Sequence, residues 1–228
     1  MATGDRLSIV VPSRGEGAGL ARCLAALVRM EAADEIVVAA HGEPVRLARR
    51  ARRCARLVWV DCPQPGRGLQ MNAGACSAHG ELLLFLHADT RLPRGAAGMV
   101  RAALADPRVA GGAFRLCFDA RHPVLDLLAR CSAVDWPGSF LGDQGLFCRR
   151  AQFGRTGGFW ARPLFEDVDL ARRLAREGRL VRLHAEVRTS ARRFTAAGPW
   201  RQLARNAALY AGYRLGADVE RLARAYRP

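Results

Sequence analysis

Short apolar segments alternate with segments of helical periodicity through the first half of the chain. The apolar segments cover 7–12, 35–39, 57–60 and 81–87. Between them, the spacing of apolar residues predicts helices over 19–30, 44–55 and 69–78. Buried strands that alternate with helices predict an α/β fold with a largely parallel, doubly wound sheet. Ligands of such sheets bind beyond the carboxyl ends of the strands, so the residues that follow each strand are the first candidates for a site.

The second half of the chain is less regular. The predicted strands are 109–118, 146–149 and 180–183, and the predicted helices are 123–134, 166–176 and two more between 199 and 226. We find no internal repeat and no linker rich in Pro, Gly or Ser. We therefore expect one α/β domain over 1–195 and a C-terminal helical extension over 196–228 that packs on it.

The composition of the 228 residues is that of a globular protein, since half are hydrophobic and a quarter are charged. The formal net charge is +15, and all 36 basic residues are arginine. Such a charge attracts phosphates and anionic membrane surfaces. No arginine run is interleaved with base-stacking aromatic residues, so we expect no nucleic-acid partner.

The seven cysteines form no CxxC motif and no metal knuckle. We therefore expect them to be small buried hydrophobic residues in a reducing compartment. The N-terminal apolar run is too short for a signal peptide, and no segment approaches the roughly 20 apolar residues of a membrane span. A cytoplasmic protein is expected, either soluble or peripheral to the inner membrane.

The segment that follows the fourth predicted strand contains His87 and Asp89. While the chain stays extended, residues two apart point to the same side. Mg²⁺ and Mn²⁺ prefer oxygen ligands and commonly bind one or two carboxylates together with substrate phosphates. A diphosphate leaving group needs such a cation to absorb its developing charge. The alternative is that Asp89 only forms an Asx-turn before Pro93.

Two helix starts also carry candidate chemistry. Arg67 stands between two glycines at the start of the third predicted helix, where backbone N–H groups and a guanidinium favour phosphate; the alternative is a solvated arginine on a loop. Glu166 and Asp167 open another helix, where acids also complement the helix dipole. Asp167 shares the face of Leu170 and Leu174, so we expect it to look into a cleft and to serve as a general base.

Taken together, four segments resemble the family 2 glycosyltransferases of the GT-A fold, over roughly residues 6 to 195. The segments are LSIVVPSRGE, GRGLQMNAG, LLLFLHADTRLP and RRAQFGRTGGFWARPLFEDVDLARRL. HADT, GDQG and the ED helix are most similar to a small bacterial subgroup linked to arsenosugar biosynthesis. The resemblance implies inverting transfer of a sugar from a nucleotide-diphosphate donor to a hydroxyl acceptor, with Mg²⁺ or Mn²⁺ and without a covalent intermediate. By family habit the nucleotide is UDP or GDP.

The resemblance also implies donor-site roles. Pro12, Ser13 and Glu16 would border the nucleotide base and ribose. Arg67 and Asn72 would lie near the base or the diphosphate.

For catalysis, the resemblance implies that Asp89 is the metal-binding acid of a DxD-like motif, with His87 in place of its first Asp. Asp167 would be the catalytic base, with Glu166 beside it in the catalytic pair. The residues implied on the acceptor side of the cleft are Asp143, Gln144, Gly157, Gly158, Phe159 and Trp160.

The chain departs from the family pattern at the end of its second strand. Ala39 stands where the family has an Asp that contacts the nucleotide. A lost hydrogen bond of this kind costs about 0.5–1.5 kcal/mol. The alternatives are weaker donor binding, a different nucleotide, replacement by His41 or Glu43, or a non-catalytic nucleotide-sugar-binding protein on the same fold.

Two further hypotheses come from the ends of the chain. Gly15, Gly17 and Gly19 suggest a dinucleotide-binding loop, but their G-x-G-x-G spacing and the missing acid disfavour an oxidoreductase. Near the C-terminus, four aromatic residues lie among arginines: Trp200, Tyr210, Tyr213 and Tyr226. These helices either rest on an anionic membrane and present a lipid-linked acceptor, or pack on the domain or on a second subunit.

Overall fold

The computed structural model describes residues 6–30, 32–43, 49, 54, 56–134 and 137–226. Within these residues, seven strands form one sheet in the order β3-β2-β1-β4-β6-β5-β7. The strands are β1 (Leu7–Arg14), β2 (Glu35–His41), β3 (Leu57–Asp61), β4 (Leu82–Phe85), β5 (Val109–Phe118), β6 (Leu146–Arg149) and β7 (Arg179–Thr189).

The helices of the described residues cover both faces of the sheet and the C-terminal segment. They are α1 (Ala18–Arg29), α2 (Arg67–Ser77), α3 (Ala96–Ala105), α4 (Pro123–Cys131), α5 (Arg150–Arg155), α6 (Glu166–Glu177), α7 (Arg192–Ala197), α8 (Pro199–Arg214) and α9 (Val219–Tyr226). Two short 3-10 helices, Pro137–Ser139 and Gly142–Gln144, precede β6.

The strand directions decide which loops meet. Strands β1 to β4 are parallel, and β6 runs antiparallel to its neighbours β4 and β5. Phe85 at the end of β4 pairs with Leu146 at the start of β6. The loop before β6 therefore lies at the same edge as the carboxyl ends of β1 to β4. The predicted α/β class with a mostly parallel central sheet is confirmed.

Alternation along β1 divides the core between the two faces of the sheet. Ile9 belongs to the cluster that packs against α1 and α3, and Val10 belongs to the cluster that packs against α2 and α6. Both side chains are fully buried. Burial on both faces explains why residues 9–12 of β1 are all apolar.

Several element boundaries differ from the predictions. Strand β4 is shorter because the chain turns after it, with the Thr90 N–H donating to the His87 carbonyl at 3.0 Å. Strand β7 is longer than predicted. It lies at the sheet edge, and polar residues at its exposed positions interrupt the apolar pattern on which the prediction is based. Helices α3, α5 and α7 were not predicted. The predicted helix over 44–55 lies outside the described residues, apart from Arg49 and Cys54.

The C-terminal region contains the two predicted helices, α8 and α9. Helix α8 buries Leu209 and Tyr213, whereas Leu215, just beyond its end, is 88% exposed. The division at residue 195 stays a prediction. No helix of the described segments is long and apolar enough to cross a membrane.

The cysteines are unpaired, and the prediction that they are buried is wrong for part of the set. Cys76 and Cys131 are exposed, whereas Cys23, Cys62 and Cys148 are buried. An exposed cysteine gives no local sequence signal that separates it from a buried one.

Candidate active site

The end of β1 is closed by a carboxylate from the loop after β2. Ser13 Oγ donates to Glu43 Oε1 at 2.5 Å, and the N–H groups of Glu16 and Gly17 donate to the same carboxylate at 2.7 and 3.0 Å. Glu43 thereby satisfies N–H groups at the start of α1, where the helix dipole favours an anion. Ser13 is buried, as is Pro12 before it, while Glu16 lies exposed at the rim.

Ala39 does not face the edge where ligands would bind. It lies two residues before the end of β2, is fully buried, and sits 3.5 Å from the point where a Cβ on Gly74 of α2 would lie. Ala39 is therefore packed against α2.

His87 and Asp89 follow β4 but do not share one environment. The turn at 87–90 ends the extended geometry on which the expected same-side arrangement depends. Asp89 is exposed, whereas His87 Nε2 is enclosed and has no hydrogen-bond partner. Burial lowers the pKa of His87 well below its usual value, and the positive charges of Arg67 and Arg193 add to this shift. The imidazole is therefore neutral.

Gly142 brings His87 and Asp167 together. The Gly142 N–H donates to Asp167 Oδ2 at 2.5 Å. A Cβ on Gly142 would lie 3.0 Å from His87 Nε2 and 3.1 Å from Asp167 Oδ2. The other carboxylate oxygen, Oδ1, accepts from the Val168 N–H at 2.8 Å. The turn after β4 and the start of α6, far apart in the chain, therefore meet at one point.

Asp143 joins the same group of acids. Burial, with the added charge of Asp167, raises the pKa of Asp143 to about 6, and Asp89 contributes in the same direction while Arg67 opposes it. Its Oδ1 is enclosed and without a hydrogen-bond partner. Asp143 therefore lies near enough to Asp89 and Asp167 for both to affect its pKa.

Arg67 carries a positive charge next to these acidic residues. Its guanidinium lies 3.7 Å from Glu166 Oε1. Burial and the neighbouring Asp167 raise the pKa of Glu166, and Arg67 counteracts part of that rise. The pKa of Glu16 is raised by burial and by Asp89 and is lowered by Ser13 and by Arg67. Arg67 therefore faces acids from both halves of the chain.

The start of α6 is more buried than its periodicity predicted. Helical spacing places Glu166 and Asp169 on a face of polar residues, but both are buried, with 3% and 7% exposure. Asp169 accepts from Arg162 at 3.1 Å and from the Tyr213 hydroxyl at 2.6 Å. The contacts of Asp169 could not be predicted from the sequence. Arg162 lies in a loop and Tyr213 in a distant helix, and no local pattern connects either residue with Asp169.

The loop over 157–160 is held by α2. Asn72 Nδ2 donates to the Phe159 carbonyl at 2.8 Å, and the Phe159 N–H donates to Asn72 Oδ1 at 2.8 Å. Gly68 permits this approach, because a Cβ there would lie 2.8 Å from the Trp160 carbonyl oxygen. Gly158 has a φ of +69°, and a Cβ there would meet Asn72 Oδ1 at 2.7 Å. The Asn72 amide thus fastens a loop.

Of the residues predicted on the acceptor side, Phe159 and Gln144 are structural. The Phe159 ring is buried and packs edge-on against Phe85 at 4.8 Å. Gln144 is 1% exposed, and its Oε1 accepts from the Leu141 N–H at 3.2 Å and from the Arg182 guanidinium. Neither side chain is presented to a ligand.

Trp160 is 42% exposed beside the crevice. The guanidinium groups of Arg162 and Arg173 lie over its ring, 4.6 and 4.5 Å from the ring centre. Such stacking orients an exposed indole.

Comparison with known proteins places this arrangement in a family. The sequence model described as "Glycosyl transferase family 2" matches residues 8–161, more than half of the chain. The chain belongs to glycosyl transferase family 2. The match contains His87 and Asp89 but ends before α6, which contains Asp167. No curated protein matches the chain in sequence.

Solved structures share the fold of this family 2 glycosyltransferase. PcManGT, a mannosyltransferase from Pyrobaculum calidifontis in complex with GDP-Man and Mn²⁺, is 21% identical with a TM-score of 0.64, over 82% of this chain and 57% of that one. Residues 1–349 of S. aureus TarS, in complex with UDP-GlcNAc, are 14% identical with a TM-score of 0.64, over 81% of this chain and 58% of that one. The chain thus spans less than two thirds of either structure, and the GT-A fold is shown.

Proposed function

We propose that this glycosyltransferase moves a sugar from a nucleotide-diphosphate donor to a hydroxyl acceptor, with inversion at the anomeric carbon. The observation that carries the proposal is that Gly142 brings the turn after β4, which contains His87, next to Asp167, while Arg67 pairs with the neighbouring Glu166 at the carboxyl edge of the sheet. The relatives bound to GDP-Man and UDP-GlcNAc support a donor of this class.

On the donor side, Ser13 and Glu16 would border the nucleotide, and Arg67 would bind the diphosphate. A guanidinium beside the N-terminus of α2 combines a charged donor with backbone N–H groups, which suits a phosphate. Pro12 would shape the floor beside Ser13. Asn72 would act at a distance, by holding the loop over 157–160.

A divalent cation fits this site only with help from the donor. Within the described part of the chain, no three His, Cys, Asp or Glu side chains are grouped to hold a metal. Asp89 offers an exposed carboxylate and His87 an unpartnered Nε2. Mg²⁺ or Mn²⁺ commonly binds one or two such groups plus substrate phosphates. When bound, the cation would offset the charge of the leaving diphosphate.

Asp167 would act as the general base. Its two oxygens accept from the N–H groups of Gly142 and Val168, which fixes the plane of the carboxylate. Asp167 would take the proton of the acceptor hydroxyl while that oxygen attacks the anomeric carbon. The bond from this carbon to the diphosphate would break in the same step. Glu166, buried against Arg67, would stay beside the base without contacting the acceptor.

The acceptor would approach past Gly158, Trp160 and Asp143, and we propose that it is lipid-linked. Of the four C-terminal aromatic residues, Trp200 is 65% exposed, and Leu215 at the other end of α8 is 88% exposed. Arg201 and Arg214 lie beside them, so this part of α8 suits an anionic membrane surface. Liposome co-sedimentation that does not depend on anionic lipid would contradict this.

We also propose a cytoplasmic location and membership of the arsenosugar-linked subgroup. Both proposals rest on the sequence features described above.

Binding of nucleotides tests the donor site. Thermal shifts are measured with UDP, GDP, dTDP and CDP, each with and without Mn²⁺. We expect one nucleotide to stabilise the protein only with metal, and Asp89→Ala to abolish that shift. Asp126→Ala, which removes an exposed acid on α4, is the control and should keep it. The donor-site assignment is wrong if no nucleotide gives a metal-dependent shift.

A further inference from the structure

Helix α8 lies beyond the residues that the family model matches. It contacts the start of α6, the helix that contains the proposed base Asp167. The Tyr213 hydroxyl donates to Asp169 Oδ1 at 2.6 Å. Its ring stacks on Phe165 with 4.5 Å between ring centres and 27° between planes. Arg172 adds a hydrogen bond to the hydroxyl at 3.2 Å. One side chain of α8 thus contacts residues on both sides of Asp167.

Phe165 needs such support because its backbone is strained. Its φ is +63°, and it is the only non-glycine residue with a positive φ among the described residues. It directly precedes Glu166 and caps α6. A bulky residue in the left-handed region persists only when its surroundings enforce the conformation. The stacked ring of Tyr213 supplies that enforcement and so sets the direction in which α6 begins.

A second tyrosine of α8 contacts the segment that leads to Gly142. The Tyr210 hydroxyl donates to the Gly138 carbonyl at 3.2 Å. Gly138 belongs to the 3-10 helix that leads to Gly142, whose N–H binds Asp167. The Tyr210 ring also lies 6.0 Å from that of Phe165. Both segments that meet at Asp167 are therefore fastened to the same face of α8.

We propose that Tyr213 and Tyr210 are positioning residues that hold the carboxylate of Asp167 against Gly142. The inference rests on the proposed function of Asp167 as the general base. The tyrosines touch neither donor nor acceptor, so their loss should change the rate of the chemical step more than the binding of substrate. Helix α8 is then part of the catalytic apparatus rather than an appendage.

Turnover tests the proposal with variants of the full chain, using hydrolysis of a sugar donor that carries the nucleotide selected by the thermal-shift panel. We expect Tyr213→Leu to lower kcat about tenfold or more, with the donor KM changed by less than about twofold. Tyr213→Phe keeps the stack on Phe165 and should recover most of kcat. A purely structural tyrosine would lower the amount of folded protein without this split between kcat and KM.

Amide hydrogen exchange tests the geometry without any activity. The amides of Gly142 and Val168 both donate to Asp167, so their exchange reports its position. In Tyr213→Leu we expect both to exchange faster by about tenfold, with β1 and β4 unchanged. The matched control is Tyr226→Leu in α9, where the hydroxyl accepts from Arg193 instead.

The outcomes separate this inference from the proposed function. Unchanged exchange at Gly142 and Val168 in Tyr213→Leu, or an equal change in Tyr226→Leu, overturns the positioning role. Faster exchange together with full turnover by Asp167→Asn leaves the positioning intact and contradicts Asp167 as the base. If the wild-type protein shows no turnover, hydrogen exchange alone decides.

Discussion

The backbone of Gly142 and the carboxylate of Asp167 are joined by a 2.5 Å hydrogen bond across 25 positions of the chain. The glycine precedes β6 and the acid opens α6, so this contact links the sheet edge to the helix that carries the proposed base. His87 Nε2 lies near the same glycine, 3.0 Å from the point where a Cβ on Gly142 would stand. The absence of a side chain at position 142 is therefore what allows the three elements to meet.

Gly142→Ala should disturb the base without unfolding the protein. The added methyl would lie 3.0 Å from His87 Nε2 and 3.1 Å from Asp167 Oδ2, closer than ordinary van der Waals contact. The carboxylate would have to move by a few tenths of an ångström, and we expect donor turnover to fall at least about tenfold. Steady-state kinetics with the donor measures the effect.

Gly98→Ala is the matched control for this substitution. Gly98 lies in α3, and a Cβ there would meet nothing within 4 Å. Alanine stabilises a helix interior by about 0.5–1 kcal/mol relative to glycine, so this variant should unfold at higher urea concentration and keep full turnover. Equal kinetics for the two variants would show that the Gly142 contact has no part in catalysis.

Asp167→Asn should separate binding from chemistry. The amide keeps an oxygen for the Gly142 N–H but cannot accept the acceptor's proton, so we expect kcat to fall by about 100- to 10,000-fold. The metal-dependent thermal shift with nucleotide should stay, because the donor site is unchanged. A wild-type protein that binds nucleotide with metal but turns over no donor would favour the non-catalytic alternative.

The sequence predicts the buried part of the sheet well and its edge poorly. The central residues of β1 and β2 are apolar because neighbouring residues such as Ile9 and Val10 are buried on opposite faces. β7 lies at the edge, where exposed positions such as Arg179 and Glu186 interrupt the apolar pattern. The predicted strand therefore covers only residues 180–183, whereas β7 has eleven residues.

The candidate site is likewise only partly predictable. Asp89 and Asp167 could be predicted, because one follows a buried strand and the other opens a helix with a strong apolar face. The contacts of Gly142 and Tyr213 depend on the tertiary approach of distant segments. The residues next to Gly142 and Tyr213 in the sequence do not indicate that either one contacts a distant segment.

Asn72→Ala tests whether the amide holds a loop or contacts the donor. Removal of the side chain leaves the N–H and carbonyl of Phe159 without their 2.8 Å partners. We expect the free energy of unfolding to fall by about 1–3 kcal/mol, measured by urea denaturation. The Kd for the nucleotide should change little once folded protein is compared. A weaker Kd with unchanged stability would instead support the direct donor contact that the family resemblance implies.

Glu35 is the first residue of β2 and lies at the amino end of the parallel strands, opposite the candidate site. It makes the stability of the fold depend on pH. Burial raises the pKa of Glu35, but hydrogen bonds from Ser8 Oγ at 2.6 Å and from the N–H and Nδ1 of His79 at 2.8 and 2.7 Å outweigh it, so the pKa is lowered. A carboxyl whose pKa is lower in the folded state stabilises the fold above its unfolded pKa of 4.5. That stabilisation is lost as the pH falls through the folded value.

Urea denaturation of the wild type and of Glu35→Gln, at a series of pH values from about 7 to about 3, measures this contribution. The wild type should be more stable near neutral pH, and its advantage should shrink below the pKa of an ordinary carboxyl group. Other carboxylates with lowered pKa values, such as Asp34, titrate in both proteins and cancel in the difference. A difference between the two proteins that stays constant across this range would show that Glu35 has the same pKa in the folded and unfolded states.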